Sequence, residues 1–342
     1  MPIAPHIFQS VESFEQAFID RLKKLLQNTN LATFVLACAN ASRQEVLLSA
    51  LSPAIESQYR QLQSLFRQGR LDTAKAEDRT LFAYLVELGM EHLPATEQRW
   101  LGPWSVQYNI LRGFRPLGHG AEAPAVLHLP FDSQGFSFNK PFMLEELFWQ
   151  GELASHSLAA YYNKFPFADY HLLWVPDRLS AHPQYLRSHY HRLIWQMQQD
   201  LCLSLAGFAV GYSAMGACAS VNHLHFQSYM GEALSITHGC WQHNGGVEEY
   251  PLAVFVFQDP DEAWRLIDQL HQQNQPYNLL YTQTAIYCLP RRRQGSVALP
   301  DWSPGFAWRE VCGEMLCLHR DGYLSLTRQE LENTLRKWRV EI

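Results

Sequence analysis

The sequence predicts an α+β fold, because helical and strand-like patterns occupy different stretches of the chain. Residues 1–101 carry apolar side chains at helical spacing, whereas the chain beyond Gly102 contains short segments that alternate between apolar and polar residues. The order strand, helix, strand, strand occurs in residues 102–243 and returns more faintly in residues 244–342. We therefore expect a helical N-terminal region, a first mixed half, and a second half that is a degenerate copy of the first.

Three helices are predicted in the N-terminal region. The first carries Phe14, Phe18 and Leu22 on one face, and Ser13 with Gln16 has the spacing of a capping box. The second and third are expected over residues 43–67 and 79–91. No catalytic constellation is visible in this region.

In residues 102–342, capping residues indicate where two of the helices begin. A proline after Asp259 predicts a helix start, and Thr327 with Glu330 predicts a capping box. Strands are expected at residues 104–112, 125–129, 170–175, 252–257, 278–282 and 285–289, and helices at residues 183–205, from Pro260 to about 272, and from Thr327 onward.

Composition restricts the classes of function. The 342-residue chain is 47% hydrophobic with a net charge of −6, which favours a packed core and argues against broad electrostatic binding of nucleic acid. No apolar run approaches the roughly 20 residues of a membrane span, and residues 1–6 lack a signal-peptide pattern. Seven cysteines without regular spacing indicate reduced thiols. We expect a cytoplasmic protein that binds neither nucleic acid nor membrane.

The chemistry is expected in the stretch Ser-Val-Asn-His-Leu-His-Phe-Gln, residues 220–227. Its pattern predicts a strand, so that His223, His225 and Gln227 share one face. Residues 211–219, directly upstream, are mostly small and would let backbone amides approach a phosphate group.

The residues alone leave three uses open for two histidines on one face. They could bind a metal, although Gln227 is a poor third ligand and no Cys-x-x-Cys lies nearby. They could be a structural pair that bonds backbone groups. One of them could instead attack phosphorus and form a phosphoramidate, which the small-residue approach and Ser220 favour.

This stretch resembles the histidine-triad superfamily, in the branch where glutamine takes the third position, as in galactose-phosphate uridylyltransferase. Within that branch, residues 211–229 are most similar to the GDP-hexose phosphorylases, the plant GDP-galactose and animal GDP-glucose enzymes. Residues 138–148 and 163–176 resemble further blocks of the family, and residues 106–112 do so more loosely. The resemblance extends from about residue 104 to about 293 and leaves residues 1–100 outside it.

The resemblance implies a role for each matched residue. His225 corresponds to the nucleophile, His223 to the neighbour that shapes the site, and Gln227 to the residue that hydrogen-bonds the phosphoryl group. Ser220 matches a phosphate-contacting hydroxyl, and Asn163 matches a ribose contact. Further nucleotide- or phosphate-binding candidates are Ser213, Asn109, Arg112 and Lys140.

The chain also departs from the family pattern. Ser213 stands where the family more often has Asn, and His171 follows Tyr170 instead of a glycine. The zinc-binding cysteine pair of the uridylyltransferases has no counterpart. We therefore expect neither a metal nor another cofactor.

The resemblance implies a HIT-like antiparallel sheet with flanking helices, and a transferase that cleaves a nucleoside diphosphate sugar, with a GDP-hexose as the first expectation. A neutral His225, with one ring nitrogen held by an acceptor, would form a nucleotidyl-histidine that inorganic phosphate discharges, and this predicts ping-pong kinetics. The alternatives are a dinucleoside polyphosphate phosphorylase or nucleotide hydrolase with the same histidine, or a non-catalytic nucleotide- or metal-binding protein. Close relatives in the superfamily often form dimers, so the resemblance is compatible with a homodimer. The sequence alone does not determine the acceptor, the sugar or the oligomeric state.

Overall fold

The computed structural model of the chain describes residues 6–71, 75–114 and 124–341. Its α-helices are α1 (Val11–Leu25), α2 (Leu31–Ala41), α3 (Glu45–Arg67), α4 (Ala76–Leu88), α5 (Ile110–Gly113), α6 (Ser188–Leu201), α7 (Pro260–Gln272), α8 (Trp308–Val311), α9 (Arg320–Ser325) and α10 (Arg328–Arg336). Its strands are β1 (Glu97–Leu101), β2 (Trp104–Tyr108), β3 (Leu147–Leu153), β4 (His156–Tyr162), β5 (Leu172–Pro176), β6 (Phe208–Ser213), β7 (Phe226–Met230), β8 (Phe255–Phe257), β9 (Tyr277–Tyr281), β10 (Ile286–Pro290) and β11 (Glu314–Cys317). The predicted α+β class is confirmed.

An eight-stranded antiparallel sheet organises the fold, in the order β3-β4-β5-β7-β6-β9-β10-β8. In the first half, three neighbouring strands lie in the order β5-β7-β6, and in the second half three lie in the order β9-β10-β8. Read from the far edge inward, the second order is β8-β10-β9, so β8 corresponds to β5, β10 to β7 and β9 to β6. Helix α6 joins β5 to β6, and α7 joins β8 to β9. This topology is that of two copies related by an approximate two-fold axis between β6 and β9. It supports the prediction of a degenerate second half.

The sheet lies between two hydrophobic cores. Helices α1 to α4, α6 and α7 pack on one face, where Tyr162 of β4 donates a hydrogen bond of 2.7 Å to the Phe18 carbonyl of α1. The small sheet β1-β2-β11 and helices α8 to α10 enclose the core on the other face, around Trp104 and Trp308. Residues 102–243 and 244–342 thus contribute strands to one sheet, and the three-part division of the chain stays a prediction. Within the described residues, no helix is both long enough and apolar enough to cross a membrane.

Several element predictions need correction. Helix α1 begins after Ser10, whose hydroxyl caps Ser13 N, so Ser13 is not the cap. The predicted strand at 125–129 is absent, because the side chain of Asn274 binds Leu127 N and the Ala125 carbonyl in place of a neighbouring strand. Helix α6 is shorter than predicted. The strand predicted at 104–112 ends at Tyr108, and Ile110–Gly113 form α5 instead. The segments missed entirely were α2, which is buried on all sides, the short helices α8 and α9, and β1, β3, β4 and β11.

Candidate active site

The two motif histidines lie in a loop, not on a strand. Strand β7 begins at Phe226, and residues 214–225 form the connection that leads to it from β6. Groups from residues 182–184 replace strand partners here: Leu224 N donates to the His182 carbonyl at 2.8 Å, and His225 N donates to Gln184 Oε1 at 2.8 Å. The prediction that His223, His225 and Gln227 share one strand face is therefore wrong. The matching connection in the second half, between β9 and β10, is a four-residue turn without histidine.

His225 is held in one tautomer. Its Nδ1 atom lies 2.8 Å from the His223 carbonyl oxygen, which can only accept, so Nδ1 carries the proton. Nε2 is then the unprotonated nitrogen, and its lone pair is available for attack. The His225 side chain is 6% exposed, which leaves a narrow approach to this atom. The structure thus provides the carbonyl acceptor that the mechanism requires.

Gln184 fixes the backbone around His225. Its amide oxygen accepts from His225 N, and its Nε2 donates to the carbonyls of Ser213, at 2.9 Å, and of His225, at 3.1 Å. The side chain is buried, so these bonds are shielded from water. Gln184 therefore ties the end of β6 to the backbone of His225.

His223 is positioned by the segment before β3. Its Nδ1 accepts from Phe138 N at 3.2 Å, which places its proton on Nε2. The Phe138 ring packs against both imidazoles, with ring centres 5.5 Å from His223 and 5.3 Å from His225. His223 Nε2 is buried and has no well-formed hydrogen bond within the described residues. Because Nδ1 of His223 accepts from a backbone amide, its Nε2 carries a proton and has no lone pair for a metal, so the pair as arranged is poorly suited to joint metal ligation.

Burial keeps both histidines neutral. Desolvation lowers the pKa of His225 to about 4, against a smaller opposing effect of the His223 carbonyl. Desolvation also lowers the pKa of His223 to about 4, assisted by His225 and by the charge of Arg178, while the Arg178 carbonyl nearby raises it. A neutral imidazole at physiological pH is the nucleophilic form.

The buried histidines also predict a loss of stability in mild acid. His191, His223, His225 and His271 each have a pKa lowered to about 4 by burial, against about 6.5 in an unfolded chain. Below about pH 6.5 the unfolded state takes up protons that the folded state cannot. Stability that is present above that pH is therefore lost as the pH falls toward 4, by about 2 kcal/mol per histidine at about pH 5. Urea unfolding near pH 7 and near pH 5 measures this. An unchanged midpoint would contradict the expected loss, and His271→Gln, outside the site, should make the loss smaller.

Gln227 belongs to a second cluster, built around His171. His171 Nδ1 accepts from Phe167 N at 3.4 Å, so Nε2 carries the proton and donates to Gln227 Oε1 at 3.0 Å. With its oxygen engaged, Gln227 presents its NH₂ group as the remaining donor. Asn163 Nδ2 lies 3.4 Å from His171 Nε2, and the Arg112 guanidinium stacks on the Phe167 ring at 4.6 Å. Burial and the charges of Arg112, Arg309 and Arg43 hold the pKa of His171 well below its usual range. The structure thus brings the predicted residues Gln227, Asn163 and Arg112 together through His171.

The other predicted residues lie outside these two clusters or serve the fold. Asn109 caps α5 and donates to the hydroxyls of Ser42 and Thr96, so its side chain is fully engaged by the protein. Asn163 also stabilises a turn, since its Oδ1 accepts from Phe165 N at 3.0 Å. The Ser213 hydroxyl accepts from Asn278 at 2.8 Å. Lys140 donates to the carbonyls of Ser133 and Gln134, and Ser220 is exposed in the loop before the histidines. Their assignment to nucleotide binding stays a prediction.

Sequence reasoning did not identify four residues that shape the site: Gln184, His171, Arg178 and, as a ring that packs on the histidines, Phe138. Arg178 Nη1 donates weakly to the Phe138 carbonyl, at 3.5 Å, and to Asn139 Oδ1, at 3.4 Å, while its Nε is buried and lacks a partner within the described residues. It follows β5 after Asp177, which has a left-handed backbone with φ of 42°. The one signal for two of them was position: His171 lies near the start of the strand predicted at 170–175, and Arg178 follows three residues after its end.

Within the described residues, no group of three or more His, Cys, Asp or Glu side chains is arranged to hold a metal ion. The functional groups that line the two clusters are imidazole, amide and guanidinium groups. A nucleophilic nitrogen, an amide NH₂ donor and a nearby cation together suit attack on an anionic phosphorus centre.

Comparisons with known proteins support the resemblance. Residues 105–229, from β2 to β7, match the family model described as GDPGP1-like, N-terminal domain. The chain is 31% identical over 151 residues to GDP-D-glucose phosphorylase 1 of Danio rerio, covering 44% of this chain and 41% of that protein. It is 27% identical over 243 residues to GDP-L-galactose phosphorylase 2 of Arabidopsis thaliana, covering 57% of this chain and 55% of that protein. The chain thus spans about half the length of the curated relatives it matches, and the predicted resemblance to the GDP-hexose phosphorylases is confirmed.

A solved structure supports the fold. The chain is similar to yeast Ap4A phosphorylase Apa2 in complex with Ap4A, with a TM-score of 0.51 and 17% identity, over 79% of this chain and 99% of that chain. At this identity the likeness concerns the fold. The predicted HIT-like antiparallel sheet with flanking helices is confirmed.

Proposed function

We propose that this chain is a nucleotidyltransferase that cleaves a nucleoside diphosphate sugar, a GDP-hexose first, through a covalent nucleotidyl-His225, with inorganic phosphate as acceptor. The observation that carries the proposal is the tautomer of His225. The His223 carbonyl accepts from Nδ1–H, so Nε2 keeps its lone pair, and burial lowers the pKa of His225 to about 4. The sequence relatives, named GDP-hexose phosphorylases, support the choice of substrate. We place the reaction in the cytoplasm, on the basis of the seven cysteines, none of which forms a disulfide.

The reaction proceeds in two displacements. Nε2 of His225 attacks the α-phosphorus of the donor, an N–P bond forms, and the bond to the bridging oxygen breaks as the hexose phosphate departs. The Gln227 NH₂ group, oriented by His171, stabilises charge on a phosphoryl oxygen. A phosphate oxygen then attacks the same phosphorus and releases the nucleoside diphosphate, which restores neutral His225. The bond of 2.8 Å from His225 Nδ1 to the His223 carbonyl supports a role for the His223 backbone, and not its side chain, in orienting His225.

The covalent intermediate can be observed directly by intact mass. We expect a nucleotidyl adduct when the protein is mixed without phosphate with the matching member of a panel of GDP-, UDP- and ADP-sugars and diadenosine polyphosphates. Added phosphate should discharge it. His225→Ala should show no adduct, and His319→Ala, which alters an exposed histidine remote in the chain, should behave as wild type. An adduct that persists in His225→Ala would overturn the assignment, and an adduct only with a diadenosine polyphosphate would replace the proposed substrate.

Arg178 is the cation that we assign to the donor phosphates. Its Nε is buried without a partner within the described residues, and its two side-chain bonds are long, at 3.4 and 3.5 Å. Those bonds can be exchanged for charge-assisted bonds to phosphate oxygens, which are stronger. Arg178→Ala is expected to raise KM for the donor by at least about tenfold, in line with the loss of one such bond.

Steady-state kinetics with Arg192→Ala as the matched control tests this role. Arg192 is an exposed arginine that pairs with Asp261 at 2.7 Å, and its loss should leave KM within about twofold. Equal KM values for Arg178→Ala and wild type would remove Arg178 from the binding site.

A further inference from the structure

One cysteine stands apart from the others by its place in the loop between β6 and the histidines. Cys218 is partly exposed and has a φ of 70°, a left-handed conformation that is uncommon outside glycine. Its sulfur faces residues 303–306, since a Cβ built on Gly305 would lie 3.9 Å from Cys218 Sγ. The chain continues from Cys218 to Ser220 and then to His223 and His225.

A buried cation lies beside this sulfur. Arg291, directly after β10, is 0% exposed, donates through Nη1 to the Phe306 carbonyl and stacks on the Trp338 ring at 4.4 Å. Its guanidinium also hydrogen-bonds the Cys218 side chain. Nη2 is buried and has no hydrogen-bond partner within the described residues. Burial lowers the pKa of Arg291, and the charges of Cys218 and Glu310 only partly oppose this shift. A thiolate formed at Cys218 would therefore be stabilised by this cation.

At the other cysteines, burial outweighs the effect of any nearby cation. Burial raises the pKa of Cys38, Cys288, Cys312 and Cys317. Cys202 and Cys240 are partly exposed, as Cys218 is, but burial raises the pKa of each, and nearby Asp200 and Glu248 add to the effect. Both therefore remain thiols at neutral pH and serve as internal controls.

We propose that Cys218 is a peroxide-reactive thiol, activated by the guanidinium of Arg291. The Cys218 thiolate attacks one oxygen of hydrogen peroxide, an S–O bond forms as the O–O bond breaks, and hydroxide leaves and takes a proton to become water. The sulfur is oxidised by two electrons to a sulfenic acid, and the peroxide is reduced. The unpartnered Nη2 of Arg291 provides a donor for the added oxygen. A thiol reductant reverses the change.

Oxidation would act on the catalytic loop through its anchors. The Ala217 carbonyl accepts from Asn278 Nδ2 at 3.0 Å, and the Gly216 carbonyl accepts from Gln294 N at 2.7 Å. An extra oxygen on the neighbouring Cys218 sulfur must be accommodated between these anchors and residues 303–306. We expect the loop to shift and donor cleavage to slow, a consequence that rests on the proposed function.

The reactivity itself is measured without any substrate. The full chain is treated with iodoacetamide near pH 7, and peptide mass spectrometry gives the alkylation rate of each cysteine. We expect Cys218 to react at least about tenfold faster than Cys202 and Cys240, since thiolate content sets the rate. After peroxide, a 1,3-diketone that traps sulfenic acids should label Cys218 before the other two. Rates for Cys218 at or below those of Cys240 would overturn the proposal.

Two variants test separately whether Arg291 activates Cys218, beyond the exposure of the thiol, and whether oxidation of Cys218 affects donor cleavage. Arg291→Lys keeps a charge but loses the planar fork, and a folded Arg291→Lys protein should alkylate more slowly at Cys218 and unchanged at Cys240. If this variant does not fold, the alkylation rate of Cys218 in the wild-type protein is measured as a function of pH. A half-maximal rate at a pH below the usual thiol pKa of about 8.5 supports activation of Cys218, and a half-maximal rate at or above that pH overturns the proposal. Peroxide should lower the activity of wild type reversibly and spare Cys218→Ser, each relative to its own untreated sample. Selective labelling without any donor cleavage would sustain this proposal while the proposed function failed.

Discussion

His225→Gly is expected to abolish turnover of the nucleotide sugar, and added imidazole is expected to restore part of it. The substitution removes the nitrogen that we propose attacks phosphorus, and it leaves a space of the shape of an imidazole beside Phe138. Loss of a nucleophile that acts as part of a unit lowers kcat by on the order of a thousandfold or more. Free imidazole can occupy the space, attack in place of the side chain and leave as a nucleotidyl-imidazole that phosphate or water consumes. Product release with and without imidazole measures both parts.

His223→Ala is the informative partner for this experiment. The bond that orients His225 comes from the backbone carbonyl of residue 223, which alanine retains. We expect a smaller loss of kcat, about tenfold to a hundredfold, from the altered packing around Phe138, and no recovery with imidazole. If imidazole rescued His223→Ala and left His225→Gly inactive, the two roles would be exchanged and the proposed nucleophile would be wrong.

Local patterns explain which elements the sequence predicted well. The start of α7 at Asp259-Pro260 and the capping box of α10 at Thr327 and Glu330 depend on bonds between residues two or three apart, and the structure contains them. Of the missed strands, β11 pairs with the distant β2, so no local signal marks it. Strands β1 and β3 instead pair with β2 and β4 across two-residue turns. The β3–β4 turn was missed because Ala154 and Ser155 adopt positive φ where glycine or asparagine is usual. Helix α2 was missed because it is buried on every side and so lacks the alternation of a surface helix.

The site shows the same division. The motif gave His223 and His225 because they are two residues apart, but their apparent strand pattern was misleading. The backbone of His225 is held by Gln184, 41 positions earlier, and the side chain of His223 is held by the Phe138 amide, 85 positions earlier. Side-chain bonds of this kind replace a strand ladder without changing the alternation of the sequence. The second half supplies the contrast: its β9–β10 turn is short, so the two-fold arrangement of strands is kept without a counterpart of the histidine-bearing connection.

Gln184→Ala should be the most damaging substitution of a residue that touches no substrate. It leaves the His225 amide and the carbonyls of Ser213 and His225 without their side-chain partner in a buried position. At about 1 kcal/mol for each lost bond, the free energy of unfolding should fall by about 3 kcal/mol. The freed backbone no longer fixes Nε2 of His225 against the donor, so kcat should fall at least about tenfold, with a smaller change in KM.

A matched control distinguishes positioning from general destabilisation. Gln198 is also fully buried, and its Nε2 donates to the Phe208 carbonyl at 3.3 Å, but it contacts neither histidine within the described residues. Gln198→Ala should lower the urea midpoint and leave kcat of the folded protein near that of wild type. Gln184→Glu adds a finer test, because it keeps the acceptor for His225 N and loses the donor to both carbonyls. Equal kcat values for Gln184→Ala and Gln198→Ala, measured where both are folded, would show that Gln184 supports only stability and that the His223 carbonyl suffices to orient the nucleophile.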